Sequence, residues 1–463
     1  MNSQPYSSTE KYVDTRFLAY RFYTETIEVS GMSALAFFEA GKASHKGKRM
    51  FWQNREKTFT LVGLGHAYTL STTNQHGRFE DIQKDWQSLC KQIVNEEHSV
   101  QPILFGGFSF DPLNKQQSEW TGFPHAYFAV PSFQLIIKED RAYVSIHLIT
   151  REEETFREFE ALRKERDKMI HAAQVSELAS YNKPVVTEWQ ELKKEKYLDS
   201  VKKVTAIIQA KQAEKVVIAR ALKLKYEQAL SPSSALYQIT KEQPESFLFG
   251  LEAEHQFFFG ATPERLVKVE NRQAVSTCLA GSTPRGKTVE KDTELGEELM
   301  RDRKNRSEHQ YVVAMISEVF KEHCAETFVP RKPSLMKIRD IQHLYTPVKG
   351  SLKIGSTLFD LVRDLHPTPA LGGEPKQAAL SLIRQYEPMN RGYYAAPIGW
   401  VDAQGNGEFA VAIRSALLNK KEAYLYAGGG IVEDSTPESE YNETWVKFRP
   451  MLRALGGQLR DES

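Results

Sequence analysis

Short runs of β-branched and aromatic residues, each ended by Gly, Pro, Asn or Asp, are the feature that most constrains the fold. Between residues 14 and 150 they read FLAYRFYTETI, TFTLVGLGHAYTL, PILFGGFSF, FQLIIKED and AYVSIHLIT. Runs of this length and composition, separated by turn residues, are typical of strands joined by short connections. The sequence therefore predicts a largely antiparallel sheet in this third of the chain.

Helical periodicity interrupts the predicted sheet in one place. The segment DIQKDWQSLCKQIVNEE carries four apolar residues at helical spacing, which are Ile82, Trp86, Leu89 and Ile93. Such a stripe forms one apolar face, which we expect to pack on the sheet. The highly charged segment at 151–180 is interpreted as a solvated helix that joins two halves of the chain, rather than as an interaction arm.

The second part of the chain mixes strand-like and helix-like segments. A Lys/Glu-rich helix is predicted at about 187–212, a hairpin turn at Glu-Asn-Arg-Gln (270–273), and one long amphipathic helix at roughly 290–324. No Ser/Gly-rich linker and no internal repeat divides the chain. We therefore expect one large α+β unit, with residues 1–185 as an N-terminal sheet-rich portion and residues 186–463 as the portion that carries the functional motifs.

Charge and cysteine content limit the class of partner. Lysine plus arginine number 61 and aspartate plus glutamate 60, a balance that does not favour nucleic acid as a partner. The three cysteines match no zinc or disulfide spacing, which indicates a reducing compartment. Neither a secretory signal nor a membrane-spanning run is apparent. These features predict a cytoplasmic protein that binds a small molecule, with no membrane association and no obligate protein partner.

Residues 281–288, GSTPRGKT, match the phosphate-loop pattern GxxxxGK[ST]. A phosphate loop presents consecutive backbone N–H groups to the phosphates, and Pro284 removes one of those donors. The preceding pattern also resembles antiparallel hairpins rather than a βαβ unit, and no hydrophobic strand ending in a magnesium-binding aspartate is evident. A nucleotide triphosphatase is therefore kept only as an alternative.

Candidate functional residues concentrate in the last 250 residues of the chain. Lys215 begins the apolar run KVVIAR, where it is either a solvated edge residue or a desolvated base. Glu264 follows Pro263 in GATPERL, a predicted turn between two strands. Arg414 lies near the end of an apolar run, and a buried arginine requires an anionic partner such as a ligand carboxylate.

Carboxylates on two predicted helices form a candidate metal site. Glu308 lies on the long helix, and Glu440, Glu443 and Lys447 are spaced so that they share one face of a second helix. Carboxylates from separate helices suit Mg²⁺, a hard ion that takes oxygen ligands, and no His/Cys cluster argues for zinc. The alternative for the second helix is a salt-bridged surface.

Ten blocks taken in order resemble the successive signatures of the chorismate-utilising enzymes over roughly residues 190–455. They are KVVIAR, GATPERL, LAGSTPRG, EHxxVV, QHLYTPVKG, LHPTPALGG, RGYYAAPIGW, EFAVAIRS, YAGGGIV and SEYNETWVK. The resemblance implies a single α+β fold with a large β-sandwich core of mainly antiparallel sheets flanked by helices. It also accounts for GSTPRGKT as part of a family segment.

The resemblance further implies a role for each candidate residue. Glu308 and Glu443 would hold a Mg²⁺ ion that binds the ring carboxylate of chorismate. Lys215 would activate a water molecule that attacks C2, and Glu264 would protonate the departing C4 hydroxyl. The residues implied to surround the substrate are Gly281, Ser282, His343, Ala370, Tyr394, Arg414, Gly428 and Lys447.

Three positions distinguish between members of the family. Lysine at 215 resembles isochorismate and salicylate synthases, which use water, whereas anthranilate synthases usually carry glutamine there. Ala280 stands where aminodeoxychorismate synthases carry a nucleophilic lysine. Ala370 favours isochorismate synthase, because salicylate synthases tend to have threonine. The expected activity is therefore isochorismate synthase, for menaquinone or siderophore synthesis; salicylate synthase and an inactive binding protein on this fold are the alternatives.

Overall fold

The computed structural model describes residues 15–94, 100–114, 119–151, 155–176, 183–339 and 341–457. In chain order its strands are β1 Arg21–Val29, β2 Arg49–Gln53, β3 Phe59–Leu64, β4 Tyr68–Thr72, β5 Ile103–Phe108, β6 Ala126–Val130, β7 Phe133–Lys138, β8 Arg141–Thr150, β9 Val186–Leu192, β10 Lys215–Tyr226, β11 Phe247–Ala253, β12 Gln256–Thr262, β13 Arg265–Glu270, β14 Gln273–Pro284, β15 Cys324–Phe328, β16 Ser334–Lys337, β17 Ile341–Leu352, β18 Gly373–Glu374, β19 Pro397–Asp402, β20 Gly407–Val411, β21 Ser415–Asn419 and β22 Glu422–Ile431. Its α-helices are α1 Ala34–Ala40, α2 Arg78–Cys90, α3 Phe156–Val175, α4 Lys194–Gln209, α5 Pro232–Glu242, α6 Val289–Arg301, α7 Arg303–His323, α8 Leu358–Leu365, α9 Lys376–Tyr386 and α10 Pro437–Ala454.

Two large antiparallel sheets form the centre of the molecule. The first has the order β1-β8-β7-β3-β2-β11-β12-β21-β22-β10-β18, with β9 also paired to β10. The second has the order β15-β17-β14-β13-β20-β19-β5-β6-β4, with β16 also paired to β17. Strands from early and late in the chain pair directly, as β2 does with β11 and β5 with β19. The predicted α+β architecture of antiparallel sheets is confirmed.

The main core lies between the sheets, and helices cover their outer faces. Alternation along β12 shows the division, because Phe258 belongs to the core between the sheets while Phe257 and Phe259 belong to a second cluster. That second cluster is closed by α1, α3, α5 and α10, whereas α2, α7 and α8 pack on the other sheet. No helix among the described residues is long and apolar enough to cross a membrane.

Several local predictions are confirmed. Helix α2 packs on β4 and β6, with Ile82, Trp86 and Leu89 buried as predicted, although Ile93 lies beyond the end of the helix. The predicted hairpin joins β13 and β14 at Asn271 and Arg272, both of which have positive φ. A helix also occupies most of the charged segment at 151–180, parts of which lie outside the described residues.

Two helix predictions were wrong in their extent. The helix predicted at about 187–212 begins only at Lys194, because the preceding β9 pairs with β10. The helix predicted at roughly 290–324 is two helices, α6 and α7, which meet at Asp302. Asp302 has extended backbone geometry, and its carboxylate accepts a hydrogen bond from the Asn305 backbone N–H at 2.7 Å, so it starts a new helix.

A buried ion pair joins the early and late parts of the first sheet. Glu252 on β11 accepts hydrogen bonds from the Arg49 side chain on β2, with 2.6 Å between Nη2 and Oε1, and from the backbone N–H groups of Gly47 and Arg49. The Arg49 and Glu252 side chains are 2% and 4% exposed. The loss of either partner would leave a buried charge without compensation.

We expect Glu252→Ala to lower the free energy of unfolding by about 3–5 kcal/mol, because Arg49 would remain buried and unpaired. The double variant Arg49→Met/Glu252→Leu should lose less, and urea denaturation measures both. The exposed pair of Arg141 and Glu28 is the matched control, and its disruption should change the urea midpoint little. Equal losses for Glu252→Ala and the double variant would contradict this account.

Candidate active site

The phosphate-loop-like segment is not a loop in the structure. Residues up to Pro284 continue β14, and Ser282 pairs with His343 of β17. Beyond the strand, the carboxylate of Asp292 accepts hydrogen bonds from the Arg285 side chain at 2.7 Å and the Gly286 backbone N–H at 2.9 Å. The segment binds a carboxylate of its own chain, and its backbone does not form a phosphate cradle.

Lys215 lies at the start of β10 with its side chain mostly buried. The side chain is 12% exposed, and Nζ contacts Glu308 Oε1 on α7. It lies against Gly430 of β22, where an added Cβ would come within 2.7 Å of Lys215 Cε. A larger residue at 430 would therefore displace the amine. The extended β10 and the second turn of α7 together set the position of this pair.

Glu264 occupies the turn between β12 and β13 and is only 7% exposed. The turn is held by its backbone, since the Glu264 carbonyl accepts a hydrogen bond from the Val411 N–H at 3.0 Å. Loss of hydration raises the pKa of the Glu264 carboxyl to about 7, although the nearby charges of Arg414 and Lys215 oppose the rise. A carboxyl in this state can hold a proton near neutral pH and donate it.

Helix α10 brings two further carboxylates to the same region. Lys447 Nζ lies 2.6 Å from Glu443 Oε1 and donates to the Gly428 carbonyl at 2.8 Å, which fixes α10 on β22. Burial raises the pKa of Glu443, but the positive charges of Lys447, Arg414 and Lys215 outweigh it, so its pKa falls below the usual value. Glu443 is therefore ionised near neutral pH.

Glu440, one turn before Glu443, is 8% exposed. Its Oε1 accepts a hydrogen bond from the Ser435 hydroxyl at 2.7 Å, whereas Oε2 has no hydrogen-bond partner in the described part of the chain. Oε2 is directed at Gly429, where an added Cβ would come within 2.7 Å. Burial and the charge of Glu443 raise the pKa of Glu440. The sequence pattern placed this carboxylate on the correct helix face but did not indicate its burial.

Arg414 lies among the predicted residues. It follows β20 in a backbone conformation with φ +50°, and its carbonyl accepts a hydrogen bond from the Ala261 N–H at 3.1 Å. Its charge acts on the pKa values of Glu264, Glu443, His343 and Tyr394. Carboxylates, a histidine and a phenol from four segments of the chain therefore surround one guanidinium.

His343 and Tyr394 complete this group. Burial and the charges of Arg414, Lys447 and Arg55 lower the pKa of His343 to about 3, so the imidazole is neutral, and its Nε2 has no hydrogen-bond partner among the described residues. Burial raises the pKa of Tyr394 to about 12. The Tyr394 ring stacks on Tyr426, with 5.4 Å between ring centroids.

The remaining predicted residues lie in two segments. Gly281, with φ +77°, lies within an irregularity in the pairing of β14 with β17, and Ser282 is exposed beside it. Ala370 is half-buried against the main core. Its segment is connected to the site through the next residue, because the Leu371 carbonyl accepts a hydrogen bond from Arg391 Nη1 at 2.8 Å.

Sequence reasoning missed the buried pair of Arg391 and Glu387. Besides Leu371, Arg391 donates to the Val217 carbonyl of β10 at 2.8 Å, and Glu387 accepts a hydrogen bond from the Ala219 N–H at 2.8 Å. Their side chains are 1% and 0% exposed. The pair therefore links the strand that begins with Lys215, the segment of Ala370 and the turn before Tyr394. The spacing of four residues was visible in the sequence, but the burial was not.

Carboxylate oxygens from two helices are the ligand type that a hard divalent cation prefers. Glu308, Glu440 and Glu443 offer carboxylate oxygens from α7 and α10, and Glu440 Oε2 is an unpartnered acceptor among the described residues. The ammonium groups of Lys215 and Lys447 are the partners of Glu308 and Glu443 in this structure. These residues could hold Mg²⁺.

Comparison with known proteins places this site in context. A family model described as chorismate binding enzyme matches residues 14–456. Isochorismate synthase MenF of Bacillus subtilis is 40% identical over 94% of this chain and 93% of its own length. The salicylate biosynthesis isochorismate synthase of Pseudomonas aeruginosa is 33% identical over 88% of this chain and 85% of its own length. The solved structure of MenF, the menaquinone-specific isochorismate synthase from Escherichia coli, superposes with a TM-score of 0.77 at 22% identity over 94% of both chains, which shows the shared fold.

The raised pKa of Glu264 makes the stability of the protein depend on pH. Between the ordinary value of 4.5 and about 7, the folded chain binds a proton at Glu264 that the unfolded chain does not bind. Stability therefore falls as pH rises through this window, by up to about 3 kcal/mol. The variant Glu264→Gln is always neutral, so it should gain stability relative to the unmodified protein between pH 5 and pH 8.

Urea denaturation of both proteins in EDTA at the two pH values measures this difference. Glu254→Gln, at an exposed glutamate of the β11–β12 turn, is the control. If the stability difference between Glu264→Gln and the unmodified protein does not change with pH, the Glu264 carboxyl is not held protonated by burial.

Proposed function

The chain belongs to the chorismate-binding enzyme family, and on that premise we propose that it is an isochorismate synthase, an isomerase that converts chorismate to isochorismate. The match to relatives named isochorismate synthase over nearly the full length of both chains supports this activity. Residues 186–463 supply the chorismate-binding catalytic portion, and residues 1–185 supply the sheet-rich remainder of the fold.

One observation carries the proposed chemistry. The buried carboxyl of Glu264 has a pKa raised to about 7, and the amine of Lys215 lies close enough for its charge to act on that carboxyl. Replacement of one hydroxyl by another across a ring requires an acid for the departing group and a base for the incoming water. Glu264 and Lys215 are an acid and a base of this kind, held on separate strands.

The residues act in the following order. Arg414, Tyr394 and the backbone near Gly428 hold the enolpyruvyl carboxylate, and His343 borders the ring. Lys215, once released from its contact with Glu308 and in its neutral amine form, accepts a proton from water as the water oxygen bonds to C2, and becomes an ammonium. The ring double bonds shift, the C4–O bond breaks, and Glu264 gives its proton to the departing hydroxyl, which leaves as water. One water is consumed and one is formed, so chorismate and isochorismate are isomers.

We assign Mg²⁺ to the carboxylates of Glu308 and Glu443. When bound, the ion supplies positive charge that offsets the repulsion between these carboxylates and the ring carboxylate of the substrate. Gly281, Ser282 and Ala370 line the substrate in this proposal, and Lys447 holds the Gly428 carbonyl so that β22 presents its backbone to the site.

Salicylate synthase is the second candidate, because water is also the nucleophile in that reaction. Ala370 favours isochorismate synthase, since salicylate synthases tend to carry threonine at this position. The higher identity to MenF than to the salicylate-biosynthesis relative supports menaquinone synthesis as the destination of the product, with siderophore synthesis as the alternative.

Purified protein incubated with chorismate and Mg²⁺, without ammonia, should form isochorismate and little salicylate or pyruvate. EDTA should stop the reaction, and Mg²⁺ in excess should restore it, since the carboxylates would otherwise repel the substrate. Chromatography of the products measures both results. Salicylate with pyruvate as the main products would establish the second candidate, whereas unchanged chorismate would contradict both and direct attention to ATP hydrolysis.

Lys215→Ala should lower kcat by a factor of about 10²–10⁴, because the attacking water would lose its base. Chorismate binding, measured by equilibrium dialysis with Mg²⁺ present, should persist because the proposed substrate contacts remain. Lys225→Ala is the matched control, since Lys225 lies on the same strand and pairs with Glu188 at the surface. A fully active Lys215→Ala enzyme would show that another group activates the water.

A further inference from the structure

His309 follows Glu308 on α7 and is 3% exposed. Its Nδ1 lies 3.0 Å from the Ala280 carbonyl of β14, and its Nε2 lies 2.8 Å from the Thr346 hydroxyl of β17. The side chain therefore connects the helix to two neighbouring strands of the second sheet. It has no part in the reaction as described above.

These partners assign one neutral tautomer to the imidazole. A carbonyl oxygen only accepts hydrogen bonds, so Nδ1 carries the hydrogen and donates it to Ala280. Nε2 of the neutral ring is then an acceptor, and the Thr346 hydroxyl donates to it. The two contacts have fixed directions, and they orient the ring about the helix.

The Ala280 carbonyl lies where β14 departs from regular pairing. The register with β17 shifts between Leu279 and Ser282, and Gly281 has φ +77°. Helix α7 also packs closely at this point, since a Cβ added to Gly281 would lie 3.1 Å from Asn305 Cβ. The β-bulge that carries Gly281 and Ser282 is thus held against the helix that carries Glu308.

We propose that His309 is a positioning residue that fixes Glu308 relative to the bulge at Ala280 and Gly281, through its hydrogen bond to the Ala280 carbonyl. The proposal rests on the proposed function, which assigns Glu308 to Mg²⁺ and Gly281 to the substrate. His309 touches neither ligand. Its hydrogen bonds fix the rotation of α7 and its distance from the sheet. The Glu308 carboxylate and the backbone at Gly281 therefore keep one position relative to each other.

Two amide substitutions, His309→Asn and His309→Gln, distinguish the contribution of the hydrogen bond to Ala280 from that of the rest of the ring. An asparagine amide can place its N–H near the position of Nδ1, whereas a glutamine amide lies nearer the position of Nε2. We expect His309→Gln to weaken Mn²⁺ binding by about 10-fold to 100-fold, which is the range for partners that orient metal ligands. We expect His309→Asn to restore Mn²⁺ affinity and the KM for chorismate to within about threefold of the unmodified enzyme.

Electron paramagnetic resonance titration with Mn²⁺ measures metal binding without turnover, and chorismate kinetics give KM and kcat separately. Thermal unfolding checks that each variant is folded. Thr346→Val, which keeps the histidine and removes only the hydroxyl, is the second variant and should weaken Mn²⁺ binding by a smaller factor. If His309→Gln does not fold, the Mn²⁺ affinity of Thr346→Val tests the proposal instead.

Ser317→Ala is the matched control, because Ser317 lies on α7 about two turns from His309 and its hydroxyl donates to the Val313 carbonyl of the same helix at 2.6 Å. It should change neither Mn²⁺ affinity nor KM. Normal Mn²⁺ affinity in folded His309→Gln, or equal impairment of the Asn and Gln variants, would overturn the proposal. Absence of isochorismate from the unmodified enzyme would instead overturn the proposed function, and Mn²⁺ titration would still report on His309.

Discussion

The pairing of two lysines with two carboxylates is the interaction on which the site depends. Glu308 and Glu443 each contact a lysine, Lys215 and Lys447, in this structure. The lysine side chains are mostly withdrawn from water, at 12% and 23% exposed, whereas those of Glu308 and Glu443 are 34% and 51% exposed. A charge withdrawn from water requires an opposite charge nearby, and these carboxylates supply it. The arrangement therefore has to be built as alternating cations and carboxylates. In the proposed function, Glu308 and Glu443 would hold Mg²⁺, whose charge would replace that of the lysine amines beside them.

Glu264 differs from Glu443 in the direction of its pKa shift, and the proposed reaction uses this difference. The charges of Arg414 and Lys215 act on the Glu264 carboxyl, and burial still raises its pKa to about 7. The difference between Glu264 and Glu443, whose pKa is lowered, arises from the direct contact of Glu443 with Lys447. Two carboxylates in one site thus hold different protonation states at the same pH, which is what a reaction with one acid and one metal ligand requires.

The sequence predicted the secondary-structure elements better than it predicted the burial of the candidate residues. Periodicity and turn residues located β10, the 270–273 hairpin, α2 and the placement of Glu443 on α10, because these signals are local. The break at Asp302 and strand β9 were missed, since a cap within a continuous apolar pattern and a strand rich in charged residues depend on tertiary partners. The pairing of Arg391 with Glu387, and the contacts of His309, depend on strands distant in sequence, and local patterns do not report them.

The segment GSTPRGKT shows why a motif requires its structural context. Its glycines are needed for reasons unrelated to phosphate: Gly281 adopts φ +77° at the bulge, and a Cβ at Gly286 would lie 2.2 Å from the Asp292 backbone nitrogen. Arg285 pairs with Asp292 and does not point to a ligand. Glycine where backbone approaches backbone is a common physical requirement, and so is an arginine that pairs with an aspartate in the first turn of a helix. A pattern built from such requirements recurs in unrelated sites, whereas ten separate blocks in one order do not.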